Sequence, residues 1–190
     1  MIPEFIEFCN KLFPSIDPYT AEQAKKAMLQ FEGEHGPALT RSFTDTDIWQ
    51  GDVFSDMPFF FTDDDGQLRT MSCKAFLLSN TCDAVRDDNL LFAAMRPLSD
   101  FQENRSLIDG IKRNQRYSAF YLPDVILGDE FVDFEMISTF SRKKFTELLE
   151  ARKIRRLASL SQVGYYMFIC KLTVFFMRPE DVEVNKDRAM

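Results

Sequence analysis

The stretch that decides the fold runs from residue 74 to residue 83 and reads Lys-Ala-Phe-Leu-Leu-Ser-Asn-Thr-Cys-Asp. An apolar run of this length that ends in polar side chains is typical of a buried β-strand. The end of such a strand can present side chains to solvent on a rigid scaffold. The five residues from Ser79 to Asp83 are polar or reactive, so the sequence predicts a candidate site at this strand end.

The composition around this stretch is that of a globular protein. The chain has 190 residues, of which 45% are hydrophobic and 28% are charged, enough for one main core. Its 20 phenylalanines predict a core of packed aromatic rings. With a net charge of -7, the chain lacks the overall basic character of a nucleic-acid binder. Basic side chains do cluster in residues 112–116 and 142–156, where solvated helix faces are the favoured interpretation.

Targeting and metal-binding signals are missing from the sequence. The four cysteines have no metal-ligand spacing and follow no signal peptide, which predicts a cytoplasmic protein with reduced thiols and no cofactor. The apolar run Val163–Met177 is too short to span a bilayer, so it predicts a buried C-terminal helix and no membrane partner.

The order of patterns predicts two parts: a helical appendage over residues 1–40 and a main domain over residues 41–190. Strand patterns occupy Ile48–Phe54, Phe59–Phe61, Leu90–Met95, Tyr117–Leu122 and Phe131–Phe140, and the acidic turn at residues 63–66 suits a hairpin. Helix signals lie between and after the strands: a cap at Asp100, a charged segment over residues 142–156 and a capping box at Ser159. The predicted class is α+β with an antiparallel sheet.

Three motifs resemble the MazF/PemK family of toxin endoribonucleases. They are Gln-Gly-Asp-Val-Phe at residues 50–54, Ala-Phe-Leu-Leu-Ser-Asn at residues 75–80, and the strand at residues 90–95. The resemblance implies an SH3-like antiparallel β-barrel with helical insertions, flanked by the N-terminal appendage and the C-terminal apolar helix. Uncharacterised bacterial relatives with an Asn-Thr-Cys-Asp-like element after the strand are more similar still.

The catalytic pair of that family is not preserved in this sequence. Its Arg-Pro step falls on Cys73 and Lys74, and the third strand ends in Met-Arg-Pro at residues 95–97, with no hydroxyl before Ser99. The resemblance therefore implies altered or lost endoribonuclease chemistry.

Metal-independent RNA cleavage requires a base for the 2′-hydroxyl, an acid for the leaving oxygen and a cation or amide donors for the phosphorane. The candidate base is Asp83, and the candidate cations are Arg96 and Arg116. Candidate positioning groups that would bind substrate are Ser79, Asn80 and Thr81. A strand-terminal aspartate more often caps the next turn, and that structural role is favoured for Asp83.

A second candidate nucleic-acid surface interleaves basic and aromatic residues at Lys112, Arg113 and Tyr117. Cations in the last turn of a helix also interact favourably with the helix dipole, which explains these basic residues without a nucleic-acid ligand. Cys82 is predicted to be a buried, inert thiol, because the single histidine, His35, lies in the appendage and no other base is evident.

Two functions remain open from the sequence. The first is a toxin- or defence-related bacterial protein that engages RNA. The second is a non-catalytic module whose acidic surface binds a protein partner, such as an antitoxin. A homodimer through the apolar C-terminal helix is a further possibility.

Overall fold

The computed structural model describes residues 39–43, 47–124 and 126–177. The predicted helical appendage, with His35, lies outside the described residues except for its last two positions. No helix in the described ranges is long and apolar enough to cross a membrane.

Seven strands form one antiparallel sheet in the order β1-β7-β2-β3-β4-β6-β5. The strands are β1 (Thr40–Arg41), β2 (Val53–Thr62), β3 (Leu68–Leu77), β4 (Asn89–Pro97), β5 (Ala119–Tyr121), β6 (Glu130–Ser141) and β7 (Arg156–Leu160). The predicted α+β class with an antiparallel sheet is confirmed. Among the described residues β1 and β5 form the two edges and do not pair, so the sheet is open.

The helices connect or cover these strands. They are α1 (Thr81–Ala84), a 3₁₀ helix (Leu98–Phe101), α2 (Arg105–Lys112), α3 (Arg142–Glu150) and α4 (Gln162–Met177). The apolar run near the C-terminus is therefore a helix, as predicted.

Each face of the sheet has its own aromatic core. On one face α4 packs Phe168 against Phe76 of β3, with ring centroids 4.8 Å apart. On the other face α3 packs Phe145 edge-on against Phe54, at 4.9 Å between centroids. These buried rings confirm the predicted phenylalanine core. A smaller cluster joins α2 and the 3₁₀ helix to β5 and β6.

Four local predictions are wrong. The strand predicted from Ile48 begins only at Val53, because Trp49, Gln50 and Gly51 turn the chain and Gly51 adopts a φ of 90°. Asn104, not Asp100, caps α2 by accepting a hydrogen bond from the backbone N–H of Leu107 at 3.0 Å.

The charged segment at residues 142–156 is not one helix. It ends at Glu150 and turns into β7, which places Ser159 inside a strand with 1% of its surface exposed. Ser161 serves the start of α4 instead, since its hydroxyl accepts a hydrogen bond from the backbone N–H of Gly164 at 3.0 Å.

A large bulge in β6 bends the sheet beside β4. Ala93 pairs with Ile137, while its neighbour Ala94 pairs with Asp133, so three residues of β6 have no partner on β4. Asp133 alternates with apolar neighbours in the sequence, as a solvent-facing strand residue does, yet only 5% of its surface is exposed. Residues of α2 and the 3₁₀ helix pack beside this part of β6, which accounts for the burial.

Candidate functional site

The polar side chains at the end of β3 hold the chain in place. Ser79 accepts a hydrogen bond from the backbone N–H of Leu91 at 2.8 Å, and Thr81 accepts one from that of Gln50 at 3.0 Å. Asn80 caps α1 by accepting a hydrogen bond from the backbone N–H of Cys82 at 2.9 Å. All three predicted positioning groups therefore have structural partners.

Two of the reactive side chains in this segment face solvent. Asp83 is exposed in the first turn of α1, where its backbone carbonyl accepts hydrogen bonds from Arg86 and Asp87. The prediction that Cys82 is a buried core residue is wrong, because its side chain is exposed. Helix α1 is a single turn that buries only Ala84, which leaves no interior position for the thiol.

The structure separates Asp83 from Arg96. The β3 end is bonded to Leu91 near the beginning of β4, whereas Arg96 lies near the end of that strand. Five residues of extended chain between Leu91 and Arg96 span roughly 17 Å. The candidate base and this candidate cation therefore occupy opposite ends of β4.

Arg96 instead contacts a buried carboxylate that the sequence did not single out. Its Nη1 lies 3.5 Å from Oδ2 of Asp133, and its Nη2 lies 3.6 Å from Oδ2 of Asp100. The guanidinium also lies over the ring of Phe101, 4.7 Å from the centroid. Burial raises the pKa of Asp133, although the backbone N–H of Glu135 and the charge of Arg96 oppose that shift. A carboxyl group and a cation thus meet on one half-buried surface.

The positions where the resembled family has Arg-Pro lie beside this pair. Burial raises the pKa of Cys73 to about 11, against the smaller lowering by a Met95 backbone hydrogen bond and by Arg96. The thiol is therefore protonated at neutral pH. Lys74 donates to Oε1 of Glu130 and to the carbonyl of Leu127, both at 2.8 Å, so its charge is neutralised locally.

The second predicted surface lies at the β5 edge, and its cations differ in their environment. Lys112 contacts Asp129 at 3.0 Å, while the side chains of Arg113, Arg116 and Tyr117 are exposed. Arg116 lies along Gly110 of α2, and none of its hydrogen bonds or ion pairs among the described residues involves Arg96 or Asp83.

A cleft that sequence reasoning missed opens near the β7 end of the sheet, between α3, β7 and the residues before β2. It has a volume of about 510 Å³. The side chains that define it are either apolar or cationic: Phe43, Ile48, Leu149, Arg152, Arg155 and Arg156. We call it the arginine cleft.

One of its arginines belongs to a buried ion pair. Arg156 donates from Nη1 to Oδ2 of Asp52 at 3.0 Å and to the carbonyl of Asp47 at 2.6 Å. Its guanidinium lies 4.1 Å from the ring centroid of Phe43. Arg152 and Arg155 are exposed, and neither has a carboxylate within ion-pair distance in the part of the chain that the structure describes. The basic cluster at residues 142–156 was the available signal for this cleft.

No three His, Cys, Asp or Glu side chains among the described residues are close enough to hold one metal ion. Comparison with protein-family models and with curated proteins finds no match to this sequence.

Proposed function

We propose that this chain is an RNA-engaging protein with a MazF/PemK-like barrel, in which the endoribonuclease chemistry is altered or lost. The observation that carries the proposal is the Arg96–Asp133 contact beside Cys73. The pair lies beside Cys73 and Lys74, the strand positions to which the family resemblance assigns Arg-Pro.

The strand order supports an SH3-like barrel. Strands β2, β3, β4 and β6 form a meander, and β7 returns after α3 to pair with β2. Both β2 and β6 carry bulges, at Phe54/Met57 and opposite Ala93/Ala94. Bulges are how a sheet acquires the curvature that barrel formation needs.

The Arg96–Asp133 surface supplies part of the chemistry for RNA cleavage. A guanidinium can stabilise the charge that develops on the phosphorane. A carboxyl group with a raised pKa keeps a proton at a higher pH than an ordinary aspartate, so Asp133 could protonate the leaving 5′-oxygen. The base that removes the 2′-hydroxyl proton has no counterpart here, since Asp83 lies at the far end of β4. Slow cleavage, or binding without cleavage, is the outcome that this arrangement supports.

The test is binding and cleavage of single-stranded and structured RNA in the presence of a chelator. We expect salt-sensitive binding, which Arg96→Gln weakens by roughly tenfold through the loss of about 1.5 kcal/mol of charged contact. Arg105→Gln changes an exposed arginine of α2 and serves as the matched control. RNA binding that is absent, or that ignores salt, contradicts the proposal.

A second candidate function, a protein-interaction module, is favoured by the β2–β3 hairpin. Beyond Pro58 and Ser72 one of its faces is uncharged, and it exposes 57% of Phe60 and 73% of Leu68 next to the acidic turn. Neighbouring exposed apolar side chains on an uncharged face are a candidate for a partner or homodimer contact. The test compares the double variant Phe60→Ser/Leu68→Ser with the control variant Thr62→Ser/Thr70→Ser. Sedimentation measures the self-association of each variant, and pull-down measures its binding to an antitoxin. Equal association of both variants counts against this function.

A further inference from the structure

We propose that the arginine cleft binds a nucleotide unit, with its phosphate on Arg152 and Arg155 and its base against Phe43 and Ile48. The inference deepens the proposed function and rests on it for the choice of RNA as ligand. The nucleotide chemistry itself follows from the cleft.

The exposed cations of the cleft differ from those cations of the described chain that have a carboxylate partner. Lys74, Lys112 and Arg69 each contact a carboxylate at 3.0 Å or less. Arg152 and Arg155 are exposed and have no such partner among the described residues, although they line the same cavity. In a protein with a net charge of -7, two uncompensated guanidiniums on one cavity attract an anion locally rather than at long range.

Backbone structure fixes where these two side chains begin. Arg152 adopts a left-handed φ of 56° immediately after α3, a conformation uncommon for a residue with a side chain. Arg155 is fixed by two hydrogen bonds to Ser55 of β2, one at 3.0 Å from the Ser55 N–H and one at 3.2 Å to its hydroxyl. A left-handed residue and a strand contact thus set both arginines on the rim of the cavity.

The remaining lining is apolar and partly aromatic. Phe43 and Ile48 are half-buried, and the guanidinium of Arg156 lies over the Phe43 ring. Bases stack on aromatic rings and on guanidinium planes in single-strand sites, without sequence preference. A cavity of about 510 Å³ falls within the range of small-ligand sites, which suits one nucleotide rather than a folded partner.

The cleft and the Arg96–Asp133 surface lie on one row across the sheet. Phe54, which also lines the cleft, pairs with Ala75; Ala75 pairs with Ala94, and Ala94 pairs with Asp133. Three strand spacings separate the ends of this row, or about 14 Å. The middle of this row is buried beneath α3, so the cleft and the Arg96–Asp133 contact are separate places on the protein surface.

The experiment is fluorescence anisotropy with a labelled oligouridylate of about ten nucleotides, a length within the range of single-strand sites. Arg152→Ala/Arg155→Ala should lower the affinity at least tenfold. It should also reduce the slope of log affinity against log salt by about 0.7, since the two arginines share one phosphate and each phosphate contact to a single strand contributes about 0.7. Arg86→Ala/Arg105→Ala removes the same charge from exposed positions elsewhere and should leave both quantities unchanged.

Uridine monophosphate forms the second arm and distinguishes the source of the nucleotide. If the free nucleotide displaces the oligonucleotide from the wild type but not from the cleft variant, the cleft binds free nucleotides as well as RNA. Absence of binding by both probes overturns the inference. So does a folded cleft variant that binds both probes as the wild type does.

The failures of the two proposals are distinguishable. RNA binding that depends on Arg96 but not on the cleft arginines overturns the cleft inference and leaves the proposed function standing. Binding that depends on the cleft alone, with no cleavage and no effect of Arg96→Gln, leaves the cleft standing and overturns the role of the Arg96–Asp133 surface.

Discussion

The molecule contains two aspartate–arginine pairs, one beside β7 and one on β4 and β6, and they are built differently. Asp52 and Arg156 are 0% and 10% exposed, with 3.0 Å between Oδ2 and Nη1. The side chains of Asp133 and Arg96 are 7% and 28% exposed, with 3.5 Å between the corresponding atoms. The first guanidinium is enclosed, whereas the second is shared with Asp100 and the ring of Phe101.

The difference separates a structural pair from one that can respond to a ligand. Asp52 also accepts a hydrogen bond from the backbone N–H of Trp49 at 2.9 Å, and thereby joins β7 to the turn before β2. Its Oδ1 is buried with no hydrogen-bond partner in the described part of the chain, so Arg156 is its principal compensation. Arg96 can leave Asp133 for a phosphate at lower cost, because it is partly solvated already.

The largest effect is expected from Asp52→Ala. Removing the carboxylate leaves the guanidinium of Arg156 enclosed without its counter-charge, which costs about 3 kcal/mol or more of unfolding free energy. Urea unfolding measures the change. Asp64→Ala at the exposed hairpin turn is the control and should stay within about 0.5 kcal/mol. A cost for Asp52→Ala below 1 kcal/mol would remove the distinction between the two pairs.

A buried cation with no carboxylate partner among the described residues should give the next largest effect. Burial lowers the pKa of Lys171 to about 7, and its ammonium donates to the carbonyls of Asn114 and Arg116. Between pH 7 and 10.5 the folded chain therefore binds fewer protons than the unfolded chain, so stability should rise with pH in that window. The slope should approach 1.36 kcal/mol per pH unit.

Lys171→Met tests this expectation by urea unfolding at about pH 7, 8 and 9. The variant lacks the amine, so the slope of the unfolding free energy against pH that is assigned to it should disappear. Lys143→Met, at an exposed position of α3, is the matched control. An unchanged slope in the Lys171 variant would show that another group titrates.

Asp133→Asn should have a smaller effect, about 1 kcal/mol or less at pH 7, since Arg96 keeps Asp100 and solvent. The favourable contribution of a carboxyl with a raised pKa is complete below its ordinary value of 3.8 and disappears as pH rises through the raised value. Relative to the Asn variant, the wild type should therefore gain stability as the pH is lowered from 7. A pH-independent difference between the two proteins contradicts the raised pKa.

The smallest effect is expected for an exposed pair on α3. Lys144 contacts Glu147 at 3.1 Å with both side chains about half exposed. Lys144→Ala should cost about 0.3 kcal/mol, and the cost should vanish at high salt. This value is the baseline for the two aspartate–arginine pairs. A loss above 1 kcal/mol would mean that the contribution of a pair to stability does not decrease with its exposure.

The sequence predicts the central strands well because their apolar residues alternate or run together. β3, β4 and β6 were all expected, as was the hairpin at residues 63–66, where Asp-Gly marks the turn. It does not predict β7, because the turn after α3 uses Arg152 in a left-handed conformation where a glycine would normally mark the helix end.

The candidate sites were harder to predict than the strands, since both depend on contacts far apart in sequence. Arg96 was a candidate, but its partner Asp133 lies 37 residues away and alternates like a solvent-facing residue. The arginine cleft was hidden because its cations were assigned to one continuous helix. When strand pairing brings charged side chains together from distant parts of the sequence, no local periodicity indicates that they will meet.

The glycine at position 164 has a consequence for how the sheet avoids self-association. A Cβ there would lie 2.0 Å from the carbonyl oxygen of Leu39, which accepts a hydrogen bond from Ser161. Leu39 leads into the two residues of β1, which cover the outer edge of β7 at Leu160 and Ser159. An uncovered strand edge is a template for pairing with another chain. The cover on this edge of β7 thus depends in part on one missing methyl group, 123 residues after the end of the two-residue strand that provides the cover.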